Sequence, residues 1–392
     1  MAHSSTILHQ VLQLVPRHQF DNLAEALDGD RYVKTFSTWN QFSALLYAQA
    51  SGKDSLRDIQ NGLLLHASRA YHLGLPAKVA RSTLADANAN RDHRIYEKLF
   101  YTILGRCRDL TPKHKFRFKN PLYSLDATVI DLCLAAFPWA KFRKRKGAIK
   151  LHYALDHAGE LPVFLTVTDG KRHEIAEAKE AFPITPDSIY CFDKAYIDYA
   201  WLRRIHDEGA FFVTRAKDNM AAQFLGQQER PKRKGVLYDF EIETTGFYAR
   251  QDYPGPLRLI GFWDTETGKF LEFLTNNFQL SAATIAQIYK ARWQIELFFK
   301  WIKQNLKIKT FVGTSPNAVR IQVFSALIAM LMLRFMQLRS RFGWSLSNLV
   351  ALLRMNLFTH RDLWAWLDKP FGDPPAAPPA PVQAPLPFAQ AA

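Results

Sequence analysis

Cysteine is scarce in this chain, with three residues in 392, Cys107, Cys133 and Cys191. Odd in number and far apart, they build neither a disulfide framework nor a zinc site, so reduced thiols in a cytoplasmic protein are expected. Long apolar runs are scarce too. The longest, residues 323–333, is interrupted by Ser325 and stops at Arg334, well short of the ~20 residues that cross a bilayer. It reads as a buried helix. The opening Met1-Ala2-His3-Ser4-Ser5 lacks the charged-then-apolar pattern of a signal peptide. Acids are outnumbered, 36 Asp and Glu against 51 Lys and Arg, for a formal charge of +15. So basic a surface attracts polyanions, and with no membrane segment in the sequence the expected polyanion is nucleic acid. Packing material, by contrast, is plentiful. Hydrophobic residues make up 48%, among them 29 Phe, 14 Tyr and 9 Trp, enough for two or three domains with a sizeable core.

Periodicity divides the chain. Residues 1–112 repeat apolar positions at helical spacing, with a turn at Gly74-Leu75-Pro76. Arg81, Asn88 and Arg91 follow that turn, where phosphate and base-edge contacts would suit them, although a solvated helix face would look the same. The stretch is therefore read as a helical N-terminal DNA-binding domain. Strand patterns then occupy 122–130, 148–156 and 161–168, followed by a helix at 174–182, a strand at 188–193, a helix at 196–208 and a strand at 211–214. That order describes a mixed α/β sheet, making 113–214 the first part of a core. Residues 215–235 read as a basic loop and 236–243 and 257–275 as strands, so 215–280 is taken as a β-rich insertion. Ser281 caps a long helix that completes the core over 281–335. A helical C-terminal region at 336–370 and a Pro- and Ala-rich disordered tail at 371–392 follow.

Two acids stand beside apolar runs. Asp126 lies inside an otherwise apolar strand, and Asp193 directly follows Ile189-Tyr190-Cys191-Phe192. A carboxylate next to a core is unfavourable unless something compensates it, and a cation does so. Either acid alone reads as a helix cap or an ion-pair partner. The helix around Glu296 adds a third acid. At about 100° per residue, Tyr289, Arg292, Glu296 and Lys303 fall within roughly a 60° arc. Much of the remaining circumference is apolar: Ile288, Trp293, Ile295, Leu297, Phe298, Trp301, Ile302 and Leu306. A narrow polar stripe on a buried helix looks like a site. Asp126, Asp193 and Glu296 would form an oxygen cup for Mg²⁺ or a similar hard ion. Two such ions about 3.5–4 Å apart serve phosphoryl transfer. Arg292 offers a planar fork for phosphate, Lys303 a point charge, and Tyr289 a hydrogen bond or a stacking ring.

Lys141, Arg143, Lys144, Arg145, Lys146 and Lys150 form a run of cations with no acid among them. Such runs are commonly solvated surface. Next to a phosphoryl site this one reads as a DNA-backbone contact, weakened steeply by salt. Residues 230–234 make a smaller patch, and Lys300 lies on the helix of Glu296.

The spacing Tyr289-x2-Arg292-x3-Glu296-x6-Lys303 resembles the Tyr-Arg-Glu-Lys signature of bacterial insertion-sequence DDE transposases, in the insertion-sequence-four-like branch. Ser124-Leu125-Asp126-Ala127-Thr128, Phe192-Asp193-Lys194-Ala195-Tyr196 and residues 81–88 are similar to the same group, over residues 5–340 in all. The resemblance implies an α/β fold: a ribonuclease H-like mixed-sheet catalytic core interrupted by a β-rich insertion, with helical regions before and after it. It implies catalysis at Asp126, Asp193 and Glu296 with two Mg²⁺ or Mn²⁺ ions, and cut-and-paste movement of an insertion sequence. The implied partners are double-stranded DNA, as terminal inverted repeats and target, and a second copy of the chain in the synaptic complex, in the bacterial nucleoid. Water frees a 3′-hydroxyl, which attacks the opposite strand to form a hairpin before insertion. Some relatives stack a flipped base on a Trp in the last insertion strand. Residues 269–275 contain none, which leaves Trp263, Phe270 and Phe273 as stacking candidates. Lys194-Ala195 stands where many relatives carry Arg-Gly, with no loss of metal binding expected. Two other readings remain: a structure-specific nuclease that cleaves without joining, and a transposase-derived DNA-binding protein without catalysis.

Overall fold

The computed structural model describes residues 5–70, 73–76, 79–143, 146–228, 235–308 and 310–372, with backbone alone at Phe142 and Arg143. Lys144, Arg145, residues 230–234 and the tail from 373 onward lie outside the described residues.

Among the described residues, ten strands form one sheet. They are β1 Leu122–Leu132, β2 Lys141–Arg143, β3 Lys146–Asp156, β4 Leu161–Asp169, β5 Ile189–Phe192, β6 Phe211–Arg215, β7 Ala222–Gln227, β8 Val236–Thr244, β9 Leu257–Asp264 and β10 Lys269–Thr275. The order is β2-β3-β1-β5-β6-β10-β9-β8-β7, with β4 also paired to β3. β1 runs antiparallel to β3 and parallel to β5, and β5 is parallel to β6. β5 is apolar throughout and buried on both faces, as central parallel strands usually are. From β6 outward every pairing is antiparallel. The segment between Asp193 and Glu296 thus extends the core sheet itself.

The strands expected from the sequence lie within two residues of their anticipated bounds, and 257–275 divides at a turn into β9 and β10. Three elements go beyond that reading: β2, β7 and a short helix, Phe247–Asp252. β7 falls in the stretch read as a loop. It is an edge strand exposed on both faces, so its sequence lacks the alternation of a half-buried strand. The helix expected over 196–208 splits into a tight turn, Lys194–Tyr196, and a helix, Tyr199–Asp207, capped by Asp198.

Helices between Ile7 and Arg108 precede the sheet. One of them, Thr38–Ser51, starts at a reciprocal Ser37–Asn40 capping box and stops at Gly52, whose φ of 72° suits glycine. After β10 come Ala282–Ala291, Trp293–Asn305, Pro316–Arg339, Leu346–Asn356 and Leu363–Asp368. Pro316–Arg339 has 24 residues and is apolar and long enough to cross a membrane by length and composition, which corrects the estimate from its apolar run. It is buried nonetheless, packed against Arg94–Arg108 and Thr38–Ser51, and apolar all round as a central helix should be.

One hydrophobic core joins the N-terminal helices, Pro316–Arg339 and the sheet face carrying Ile130, Leu151 and Tyr153. The opposite face, with Leu125 and Phe192, is covered by Glu174–Ala181 and Tyr199–Asp207. Ala282–Ala291 lies over Leu122, Cys191 and Phe273.

Candidate active site

Leu125 of β1 pairs with Phe192 of β5 in parallel register. The next residues are Asp126, within β1, and Asp193, the first residue past the end of β5, so the two stand at one height beside strands that lie about 4.8 Å apart in any sheet. Alternation along β1 turns Asp126 toward the face that holds Leu122, the face covered by Ala282–Ala291. Each carboxylate is steadied locally. Oδ1 of Asp126 accepts the Ala127 N–H and Oδ1 of Asp193 the Ala195 N–H, both at 2.8 Å.

The helix expected to run unbroken from Ser281 is interrupted at Arg292, which ends Ala282–Ala291 and opens Trp293–Asn305. Around the break the backbone bonds tighten: the Arg292 N–H reaches Tyr289 O and the Ile295 N–H reaches Arg292 O, both at 3.1 Å. The second helix is also less buried than its sequence suggests. Ile295, Phe299 and Ile302 are buried, but Trp293 is 55% and Leu297 44% exposed. One side of that helix packs over β1 and the core, and the other is protein surface.

Arg292 joins two of the three acids. Its guanidinium lies 3.6 Å from Oδ2 of Asp126 and 2.8 Å from Oε1 of Glu296. Its Nε is buried without a hydrogen-bond partner. Lys303 Nζ donates to Oγ1 of Thr128 and to the Val129 carbonyl, which ties it to β1 just beyond Asp126. Tyr289 packs on Phe273 at 5.1 Å, with the Arg292 guanidinium 5.6 Å from its ring. Burial pushes its hydroxyl up to about 12, so it keeps its proton at neutral pH.

Burial pushes the Asp126 carboxyl up to about 6; the Ala127 N–H and Arg292 relieve the charge, while Glu174 and Glu296 add to the strain. Glu174 escaped the sequence reading. It is the first residue of Glu174–Ala181 and pairs with Lys150 at 3.5 Å. Tyr196 has its hydroxyl raised by burial first, then by Glu174, Asp126 and Asp193. A helix-opening acid directly after β4 was the available signal. Lys150 is correspondingly not a DNA-facing cation: its Nζ donates to the Arg172 carbonyl at 2.9 Å.

Among the described residues no three acid, His or Cys side chains are drawn together as an ion cage. Arg292 lies between Asp126 and Glu296 instead. The donor set is nevertheless all oxygen, and the incompletely compensated carboxyl of Asp126 fits a hard divalent ion. Space opens on two sides. A cleft of about 590 Å³ is lined by Asp193, Lys194 and Lys217, and a cavity of about 340 Å³ by Tyr289, Arg292, Trp293 and Phe262.

Three expected contact residues prove structural. Arg91 donates to the Ser37 carbonyl at 3.0 Å, to Gln41 at 3.2 Å and to the Phe36 carbonyl. Asn88 is buried and accepts from Gln41 at 2.8 Å. These two staple helices together and face no ligand, because their polar groups satisfy interior partners. Phe273 is 1% exposed, wedged among Phe262 and Tyr289, so no base can stack on it. Trp263 and Phe270 are paired across β9 and β10 and remain 43% and 45% exposed. Arg81, Lys141, Lys146 and Lys300 are exposed.

Two acids at one height at the ends of neighbouring core strands, beside a helix bearing Arg, Glu and Lys, suit a class of enzymes that act on phosphodiester bonds. Residues 117–332 match the family described as Transposase DDE domain, and residues 3–76 match a domain of unknown function (DUF4372). A protein of Sinorhizobium fredii named as a transposase is 33% identical over 306 residues, covering 77% of this chain and 83% of the relative. Another, named as the transposase of an insertion sequence element of Geobacillus stearothermophilus, is 28% identical over 337 residues, 85% of each chain. Among solved structures, the piggyBac transposase synaptic complex with hairpin DNA has a TM-score of 0.40 at 10% identity, over 93% of this chain and 80% of that one, a likeness too slight to build on. The chain belongs to the DDE transposase family of bacterial insertion sequences and is a DNA transposase.

Proposed function

We propose that this transposase moves its element by cut-and-paste, with Asp126, Asp193 and Glu296 holding two Mg²⁺ or Mn²⁺ ions in a ribonuclease H-like core. The observation that carries this reading is the common height of Asp126, in β1, and Asp193, just past the adjacent parallel β5, with Glu296 linked to Asp126 through Arg292. The strand order β4-β3-β1-β5-β6, with β3 alone reversed among β3, β1, β5 and β6, supports the ribonuclease H-like assignment. Bound ions would activate the attacking oxygen and stabilise the leaving one. The chain's own groups do the rest. Above pH 6 Asp126 is ionised and ready to ligate. Arg292 presents its fork to a phosphate, Lys303 holds its charge beside β1, and Tyr289 donates a hydrogen bond.

Trp263 and Phe270 offer stacking surface for an unpaired base, and Arg81, Lys141, Lys146 and Lys300 meet the DNA backbone. The substrates are terminal inverted repeats and target duplex, brought together by two copies of the chain through a hairpin intermediate. The Tyr289–Lys303 signature supports the insertion-sequence-four-like branch.

A strand-transfer assay with labelled terminal repeats and Mg²⁺ tests this. Joined product is expected. Cleavage alone would indicate a nuclease, and a gel shift without cleavage a binding protein. Asp126→Ala, Asp193→Ala and Glu296→Ala should each abolish cleavage and keep DNA binding, while Arg292→Ala and Lys303→Ala reduce it less completely. Full activity in Glu296→Ala would overturn the site.

A further inference from the structure

Between the last N-terminal helix and β1 the chain reads Lys113-His114-Lys115-Phe116-Arg117-Phe118-Lys119, with no acid anywhere from Leu110 to Pro121. Burial alternates along it. His114, Phe116 and Phe118 are half-buried, and Lys113, Lys115, Arg117 and Lys119 are exposed. The aromatic side is fastened down. His114 lies 5.8 Å from Phe116 and 4.8 Å from Phe118, and the two phenylalanine rings stack at 5.1 Å. Both rings pack on the cluster of Leu122, Ile189 and Cys191. The His114 ring bonds the Asn120 carbonyl at 2.8 Å, and Asn120 Nδ2 donates to the Asp187 carbonyl at 2.7 Å. On the other side, none of the four cations makes a side-chain hydrogen bond or ion pair among the described residues.

A solvated charge run commonly floats free of the fold. This one is fastened along its aromatic side. Alternate residues stand no more than about 7 Å apart, on the scale of successive phosphates along a nucleic-acid strand. Ordering the segment in advance also lowers the entropy lost on binding. We infer that residues 113–119 form a rail that grips the backbone of double-stranded DNA, each cation taking a phosphate. The inference rests on the chain's reading as a DNA transposase. Asp126 follows Lys119 by seven positions, which limits their separation to about 25 Å. A single turn of duplex is longer, about 34 Å, so one DNA molecule reaches both.

The test uses the full chain and a labelled duplex of random sequence, without divalent metal, titrated with NaCl. In the variant K113Q/K115Q/R117Q/K119Q the slope of log affinity against log salt should flatten by about 3 to 4. Each fourfold rise in salt should then cost the variant about a hundredfold less affinity than the wild type. Substituting Gln for the exposed Lys171, Arg341, Arg361 and Lys369 removes the same charge elsewhere and should change the slope by less than about one. An unchanged slope in the rail variant, or equal flattening in both variants, overturns the rail and leaves the transposase reading standing. Wild-type protein that binds no duplex refutes that reading instead. Should the fourfold variant melt early, K113Q/K115Q and R117Q/K119Q are each expected to flatten the slope by about two. Failure of both pairs to do so overturns the rail as well.

Discussion

Replacing Asp126 with Asn should stabilise the metal-free protein while it ends catalysis. The native carboxyl is raised from 3.8 to about 6, chiefly by burial. A folded-state pKa above the unfolded one penalises the charged form. The penalty is absent below about pH 4, grows through the interval and is complete above pH 6. Two units at about 1.4 kcal/mol each come to about 3 kcal/mol. Only 20% of the side chain is exposed, so solvent screening takes little from that figure. Asn keeps the shape and can still accept the Ala127 N–H. In EDTA, the melting temperature of Asp126→Asn should exceed that of the wild type at pH 8, and the difference should close toward pH 4. Mg²⁺ at a hundred times its dissociation constant should then stabilise the wild type by about 2.7 kcal/mol and leave the variant unmoved. A variant that melts below the wild type at pH 8, or an advantage of the same size at both pH values, would refute the reasoning.

Other expectations follow from the buried contacts. Arg258 and Asp239 form a paired, almost fully buried fork, and Arg258 also donates to the Asn277 and Leu280 carbonyls. Arg258→Met alone should cost about 3–5 kcal/mol in thermal or urea unfolding, and Arg258→Met with Asp239→Leu should recover much of it. Arg91→Ala should lower the melting temperature without altering the salt dependence of DNA binding, whereas Arg81→Ala should do the reverse. Phe273→Ala should cost about 3–5 kcal/mol of stability. Trp263→Ala and Phe270→Ala should leave stability nearly unchanged and lower hairpin formation, read with a fluorescent base analogue at the cleavage site.

The strands that carry Asp126 and Asp193 could be read from the sequence because the acids interrupt or end apolar runs, and such runs have few alternatives to a sheet interior. The sequence could not reveal that Leu125 and Phe192 pair, since register is fixed only when the sheet forms. The Glu296 helix kept its period through Arg292, so nothing marked the break there. Arg292 itself keeps helical angles, φ −52° and ψ −32°, and its guanidinium meets acids on two elements. Arg91 and Asn88 misled for a related reason. Polar residues normally point outward, and only the packed helices show that carbonyls and Gln41 await them inside. β7 escaped because an edge strand wet on both faces has no apolar side to alternate with. The 113–119 alternation was in plain view, but it falls in a connector that is neither helix nor strand, where patterns of period two are seldom sought.

The unbroken ladder from β6 through β10 has a consequence for biogenesis. Asp126 lies in β1 and Asp193 just past β5, both made early in synthesis, while the chain runs out to the far rim at β7 and back before it reaches Glu296. Glu296 is the last of the three acids to be made. On the site proposed above, a ribosome-bound fragment ending before Ser281 would carry Asp126 and Asp193 without Glu296, and should bind DNA without cutting it.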